Sequence, residues 1–352
     1  NAVRHIAAGT WEQARRELAN ANSQDSETHF VQMLASLAAE ETESAVTHAQ
    51  AALDAGLPLE RLVAGPRQLL RPLYGTAAYQ GWLRQRQPSP LLHGPMVGSV
   101  TSESAAFWVR TASSAAIQVR VFAGRFASPV AVSEPVSTRA AGDFAAIAHV
   151  HGLRPATDYR YEVWVAGKRV AAENTRFQTF PARHAGARFS VAFGGGAGFV
   201  PKWESMWDTI GATSPIALLM LGDNVYIDDP THALTGRYCY YRRQSRPEWR
   251  RLVASTSVFA IYDDHDFGTN DCIPGPQIEK PAWKRSVWER FRRNWVNPSY
   301  GGGDGQPGCW HDFYIGDVHF ILLDGRYYRS RQDVPSMLGA VQKAWLKETL
   351  KA

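Results

Sequence analysis

Two short stretches of this chain concentrate side-chain oxygen at the ends of apolar runs. "GDNVYIDD", residues 222 to 229, follows "IALLM", and "YDDHDFGTND", residues 262 to 271, continues "SVFAI". Hard cations take oxygen donors, trivalent iron also accepts phenolate, and imidazole suits transition metals. On that chemistry Asp223 is placed to bridge two ions, Tyr226 to bind as a phenolate and Asp264 to hold the second ion. His265 stands beside Asp264 in a carboxylate-rich loop that would keep its imidazole basic and oriented. Two ions about 3.5–4 Å apart form the clamp expected of hydrolytic phosphoryl transfer, polarising phosphoryl oxygens and generating hydroxide near neutral pH. A neighbouring histidine then stabilises developing charge or protonates the leaving alkoxide. A lone "GD" after a strand is commonly a turn, and a lone "DDHD" a solvated loop. Their joint occurrence, each at a strand end, is what points to a site. Asp228 and Asp229 are expected in solvent or supporting the ligands rather than among them.

Such loops need strands to carry them. From about residue 187 apolar strands alternate with amphipathic helices, as in "FSVAFGG", "WESMWDTI", "IALLML", "PEWRRLVAST" and "SVFAIYDD". That alternation implies an α/β layered core, whose sites lie beyond the carboxyl ends of the strands. Before it, residues 91–181 alternate apolar and polar residues over short, evenly spaced segments such as "SAAFWVRT" and "DYRYEVWVAG", the texture of a small β-sandwich. "LRPATDYRYEVWV", with Leu153, Pro155, Thr157 and Tyr159 at a corner, has the look of a fibronectin type III strand pair, and its aromatics are expected in the core. Residues 1–86 are rich in Ala, Leu, Glu and Gln, with Phe30, Met33, Leu34, Leu37 and Ala38 at helical spacing. "SQDSE" supplies capping residues, and Gly56 with Pro58 ends a helix. The consecutive helical hairpins look a little like tetratricopeptide repeats without a clean period; a helical extension is the plainer reading.

Composition bounds the rest. The chain has 352 residues, 45% hydrophobic and 20% charged, with a net charge of +5. It can bury a sizeable core, has no apolar run of roughly 18 residues that would span a membrane, and mildly suits an anionic substrate. No nucleic-acid motif is present, and specific nucleic-acid binding is not expected. Cys239, Cys272 and Cys309 lack CxxC spacing; a Cys272–Cys309 disulfide with one free thiol and three free thiols are both open. The arginine run in "YYRRQSRPEWRR" reads either as a solvated helix face or as the lining of an anion channel. The glycine-rich "NPSYGGGDGQPGCW" reads as a loop able to border the site as a lid. Oligomeric state is not legible.

At these motifs the chain resembles the alkaline phosphatase D (PhoD-like) family of calcineurin-like metallophosphoesterases. The resemblance runs from about residue 91 to 352 through "HGPMVGSVTSESAAFWVRT", "VAFGGGAG", "LGDNVYIDD", "FAIYDDHDFGTND", "LLDGRYYR" and "MLGAVQKAWL". It implies an α/β metallophosphoesterase sandwich over 187–352, preceded by the fibronectin-like β-sandwich and the α-helical N-terminal region. It also implies a phosphomonoesterase or phosphodiesterase that is secreted, periplasmic or cell-surface, with a phosphate ester as substrate. Two metal ions go with it, iron and calcium by the family's habit, with zinc or manganese as alternatives. Carried over, Asp223 is the bridging ligand, Tyr226 and Asp264 are metal ligands and His265 is the catalytic imidazole. Asn270 and Arg329 are candidate substrate contacts, and Asp324 a structural partner.

Two departures stand out. Gly196 occupies the position where the family places an iron-binding cysteine, leaving backbone N–H groups as what that loop can offer a phosphate. The family's later histidine ligands follow the helix at which this sequence stops, so the catalytic domain is expected to be incomplete at its C-terminus. "GDVH" at residues 316 to 319 sits mid-strand, and His319 is expected to be structural. The rival to the hydrolase is a non-catalytic binding protein on a degenerate phosphatase scaffold.

Overall fold

The computed structural model describes residues 1–21, 25–124, 127–331 and 335–351. The chain forms two compact units, Asn1–Leu92 with Thr231–Ser245, and His93–Pro230 with Arg246–Ala352.

The first unit is helical. Helices Ser26–Ala38 and Thr42–Asp54 carry its longest apolar faces, with Phe30, Met33, Leu34, Ala45 and Ala49 fully buried. Asp25 caps the first of them by accepting from the Thr28 amide at 3.1 Å, while residues 23 and 24 of the expected capping stretch lie outside the described residues. The helix Ala233–Ser245 joins this unit from far along the chain. Its Tyr238 ring lies against Phe30 and its hydroxyl donates to Glu27, whose other carboxylate oxygen takes the Nε of the fully buried Arg61. The arginine run is not a solvated face throughout: Arg243 is buried here and Arg242, Arg246, Arg250 and Arg251 are half-buried. Beyond the helix, Arg246 pairs with Glu248, Arg250 donates to the Gly94 carbonyl, and Arg251 forms a fork on Asp208 at 3.0 and 2.7 Å.

The second unit is an α/β fold. Strands Val191–Gly194, Ala217–Leu221 and Ser257–Ile261 run parallel, and Gly98 of strand Leu91–Gly98 pairs with Val258. Ser104–Thr111 and Ala145–His151 complete that six-stranded sheet, so strands from both sides of the expected boundary near residue 185 share it. Gly98 permits the junction: a β-carbon there would lie 2.2 Å from Val296 Cγ1 and 2.9 Å from the Val258 carbonyl oxygen. A second sheet centres on Ala116–Ala123 and Asp158–Val165. At its corner the Tyr159 hydroxyl accepts from the Arg154 amide at 2.9 Å.

The core beneath the parallel strands is aromatic. Phe259 stacks on Phe313 of the hairpin His311–Ile315/Val318–Leu322, with ring centres 3.6 Å apart. Asn297 acts as a substitute strand, its side-chain amide accepting from the Ala260 amide and donating to the Ala260 carbonyl at 2.9 and 2.7 Å. The strand that delivers "DDHD" is thereby pinned on a side where a peptide neighbour is lacking. His319 pairs with Asp312 and stacks on Tyr314 within the hairpin. The three cysteines are free thiols, which removes the Cys272–Cys309 pairing; Cys239 and Cys309 are buried and Cys272 half-buried. The glycine-rich loop is tied down rather than free to act as a lid. The Gly308 carbonyl accepts from Trp288, the Gly301 amide donates to the Trp310 carbonyl, and Asp304 meets Arg292. No described helix is long and apolar enough to cross a membrane.

Candidate metal centre

The strands Ala217–Leu221 and Ser257–Ile261 lie side by side in parallel, so their carboxyl ends deliver the two acidic loops to one place. The loops then cross at Gly222. Its φ of 106° suits glycine, and a β-carbon would lie 2.5 Å from the Asp263 Cβ. Beyond it Asp223, Tyr226 and Asp228 have φ of 53°, 52° and 48°. Left-handed conformations cost free energy in residues with a β-carbon and persist where surrounding bonds over-determine them.

Those bonds come from the second loop. Asp266, buried, accepts from the backbone amides of Asn224 and Val225, both at 2.9 Å, and from the Asn224 side chain. The His265 carbonyl accepts from the amides of Ile227 and Asp228. Burial pushes the Asp266 carboxyl up to about 7 against the pull of the amides that donate to it. Asn224 also donates to the Ile261 carbonyl, while its buried Oδ1 accepts no hydrogen bond.

The result is a carboxylate cluster. Asp223, Asp263 and Asp264 each offer an oxygen, all within 4.8 Å of one another. Burial raises the Asp223 pKa, the His265 charge opposes that, and Asp263 and Asp264 reinforce it. At Asp264 burial works upward but is outweighed by the hydrogen bond from the Asp271 amide and by Arg326, and the pKa falls. Arg326 reaches both carboxylates, through Nε to Asp263 and through Nη2 to Asp264 at 3.0 Å. An all-oxygen, strongly anionic donor set fits a hard cation.

His265 faces the same place from the start of the short helix Asp264–Phe267. Its amide donates to Asp223 Oδ1 at 3.3 Å, its Nδ1 meets Asp228, and its ring stacks on Tyr226 with centres 4.4 Å apart. Burial alone would lower its pKa. The Asp228 bond and charge, with Asp223 and Asp264, outweigh that and raise it. For Tyr226 burial and then the carboxylates at 223, 266, 228 and 264 all act upward. The glycine loop closes the remaining side: the Gly196 amide donates to the Gly222 carbonyl at 3.2 Å, and a β-carbon at 196 would sit 3.7 Å from the Tyr226 hydroxyl. A side chain at 196 would therefore start beside Tyr226, and this chain has none to offer.

Of the residues singled out in the sequence, Asp223, Asp264, Tyr226 and His265 are brought together. Asn270 is not drawn in: it is exposed and donates to Asp271. Arg329 has its backbone engaged with Arg326 and Gly275, and Arg326 is the arginine of that motif that meets the carboxylates. Asp324 accepts from the Tyr262 hydroxyl and from the amides of Cys309, Arg326 and Tyr327. Sequence reasoning missed Asp263, Asp266 and Arg326; Asp228 supports His265. The repeated acids of "DDHD" and "YIDD" were the available signal, whereas nothing in "GRYYR" separates its two arginines.

A sequence family described as a domain of unknown function (DUF7800) matches residues 88–184. No curated protein matches the chain. Among solved structures the fold is similar to that of PhoD, with a TM-score of 0.62 and 16% identity over 73% of this chain; the chain spans 59% of the PhoD chain. The sensor domain of an anti-sigma factor from Pseudobacteroides cellulosolvens aligns with 27% of this chain and 97% of its own, at 21% identity and a TM-score of 0.21, which is too low to carry an argument. The chain thus has a PhoD-like α/β fold, and the identity is low enough that the likeness speaks to fold alone.

Proposed function

We propose that the chain is a metal-dependent phosphate ester hydrolase. The reading rests on one observation above the others: three carboxylates that could hold a metal ion lie beside an imidazole supported by its own acid, Asp228. A bound cation would polarise the phosphoryl group and lower the pKa of attacking water. The chain's own residues do the remainder. Asp223, Asp263 and Asp264 would hold the cation. Asp228 fixes the His265 ring through Nδ1, which leaves Nε2 as the atom able to give a proton to a departing alkoxide. The Gly196 amide is taken by the Gly222 carbonyl, so what position 196 offers is the room left by an absent side chain beside Tyr226.

A second reading, a binding protein on a degenerate scaffold, is favoured by the missing donor at position 196. The two separate in one experiment. Hydrolysis of 4-nitrophenyl phosphate and of its bis-ester is followed with Mn2+, with Ca2+ and after EDTA. Turnover that EDTA abolishes and that Asp264→Ala reduces by about a hundredfold or more supports the hydrolase. Equal rates for Asp264→Ala and the unsubstituted chain would move the assignment to the binding protein.

A further inference from the structure

Lys284, in the first turn of the helix Trp283–Asn294, is fully buried, which is uncommon for a lysine without a paired acid. Its Nζ donates to the carbonyls of Gly275 and Gln277 at 3.0 and 2.6 Å, and no carboxylate among the described residues takes a hydrogen bond from it. Residues 272–281, themselves half-buried or exposed, thus form a strap across the amine. Two further bonds hold the strap. The Gly275 amide donates to the Arg329 carbonyl at 2.9 Å, and the Ile278 carbonyl accepts from the Tyr327 hydroxyl at 2.9 Å.

The hydrogen count under the strap suits a neutral amine. Two carbonyls meet the two hydrogens of an uncharged amine, whereas an ammonium brings a third with no acceptor among the described residues. The charged form has support of its own. The rings of Tyr327 and Tyr328 lie 4.4 and 5.6 Å from Nζ, and Asp324, Glu279 and Cys272 also favour it. None of these is an acid paired with the amine. Asp324 is occupied by Tyr262 and three amides, and Glu279 is exposed and pairs with Arg285. Burial outweighs them and lowers the Lys284 pKa from the usual 10.5 to about 8. A lifted strap returns the amine to water and to its usual value. The closed form therefore binds fewer protons than the open one. Its advantage is complete above pH 10.5 and is lost as pH falls to about 8.

We propose that Lys284 is a proton-operated latch: the strap 272–281 sits tight over the neutral amine and loosens when the amine takes up a proton. The effect has a short route to the acidic loops. Asp271, which leads into the strap, gives its amide to Asp264, so a tight strap is a firmer seat for that carboxylate. This bearing on the site rests on the metal-dependent reading above, whereas the latch itself does not.

The test is hydrogen exchange on the full chain at pH 7, 8, 9 and 10, with each rate corrected for intrinsic exchange. The Gly275 amide, bonded to Arg329, reports the strap; the Ala260 amide, bonded to Asn297, reports the core. Protection at Gly275 should rise about fortyfold from pH 8 to 10 and only about twofold from pH 7 to 8, with Ala260 unchanged. Lys284→Met removes the titrating group and should make the Gly275 profile flat. A flat profile in the unsubstituted chain, a rise shared by Ala260, or the same rise in Lys284→Met overturns the proposal. Should circular dichroism show that Lys284→Met does not fold, an NMR titration of the Lys284 side chain decides: a midpoint at about 9.5 or lower supports the latch and a higher one overturns it. Neither readout uses turnover. Loss of the hydrolase reading would leave the latch standing, and a failed latch would leave that reading standing.

Discussion

His265 and His311 lie in regions that treat the same imidazole in opposite ways. At the mouth, His265 is half-buried among carboxylates, and Asp228, Asp223 and Asp264 raise its pKa. In the hairpin, His311 is 1% exposed, stacked near Phe259 and Phe313, and burial lowers it to about 4. Its Nδ1 meets the Cys309 carbonyl at 2.9 Å and its Nε2 meets nothing. The two aspartates nearby divide in the same way. Asp324 is closed off by four donors, Tyr262 and three amides, whereas Asp223 takes one long bond from the His265 amide. Asp324, which supports the fold, has its hydrogen bonds completed inside the protein. Asp223 at the mouth keeps capacity in reserve, and spare lone pairs beside spare charge are what a ligand needs.

That contrast can be broken from either side. The largest effect is expected at Asp324→Ala, which strands four donors in a dry core and should cost about 3–5 kcal/mol in urea unfolding. A loss below about 1 kcal/mol would show that the network is not structural. Next comes acid. His311 is held neutral when folded, so the unfolded chain binds the extra proton between pH 6.5 and 4. Its contribution is whole above about pH 6.5 and is lost as pH falls towards 4, up to about 3 kcal/mol. His311→Phe should therefore flatten the stability profile between pH 7 and 4.5, and parallel profiles would sink the idea. The smallest effect is kinetic. Asp228→Asn leaves the fold standing and should lower kcat for an aryl phosphate about 10- to 100-fold with KM little changed. A change confined to KM would place Asp228 against substrate rather than behind His265.

The parallel core was legible because apolar runs such as "IALLM" and "SVFAI" end abruptly in acids, and a buried parallel strand reads as a near-continuous apolar stretch. Four of the residues that meet at the mouth were legible for the same reason. What escaped depends on contacts distant in sequence. Helix Ala233–Ser245 joins the N-terminal helices through Tyr238 and Glu27, a hydrogen bond between positions 211 residues apart. Arg326 and Arg329 are equivalent as letters. Asp324 distinguishes them by holding the amides of Arg326 and Tyr327 and so setting the turn that aims Arg326 at the acids. The glycine-rich loop looked mobile because glycine permits motion, yet its glycines serve close packing: a β-carbon at Gly308 would lie 2.0 Å from the Trp310 ring.

The crossing at Gly222 has a consequence for how the carboxylate cluster is assembled. Asp223 and Asp263 reach one another only after two strands from separate parts of the chain have paired in register and slid a bare backbone past a neighbouring side chain. Asp263 and Asp264 follow one strand, and Asp223, which follows the other, completes the cluster only when the two have paired. A nascent or refolding chain would pass through its long-range assembly without the full cluster, and would acquire it in the same step that completes the sheet. On the metal-dependent reading proposed above, ion uptake would then mark the end of folding.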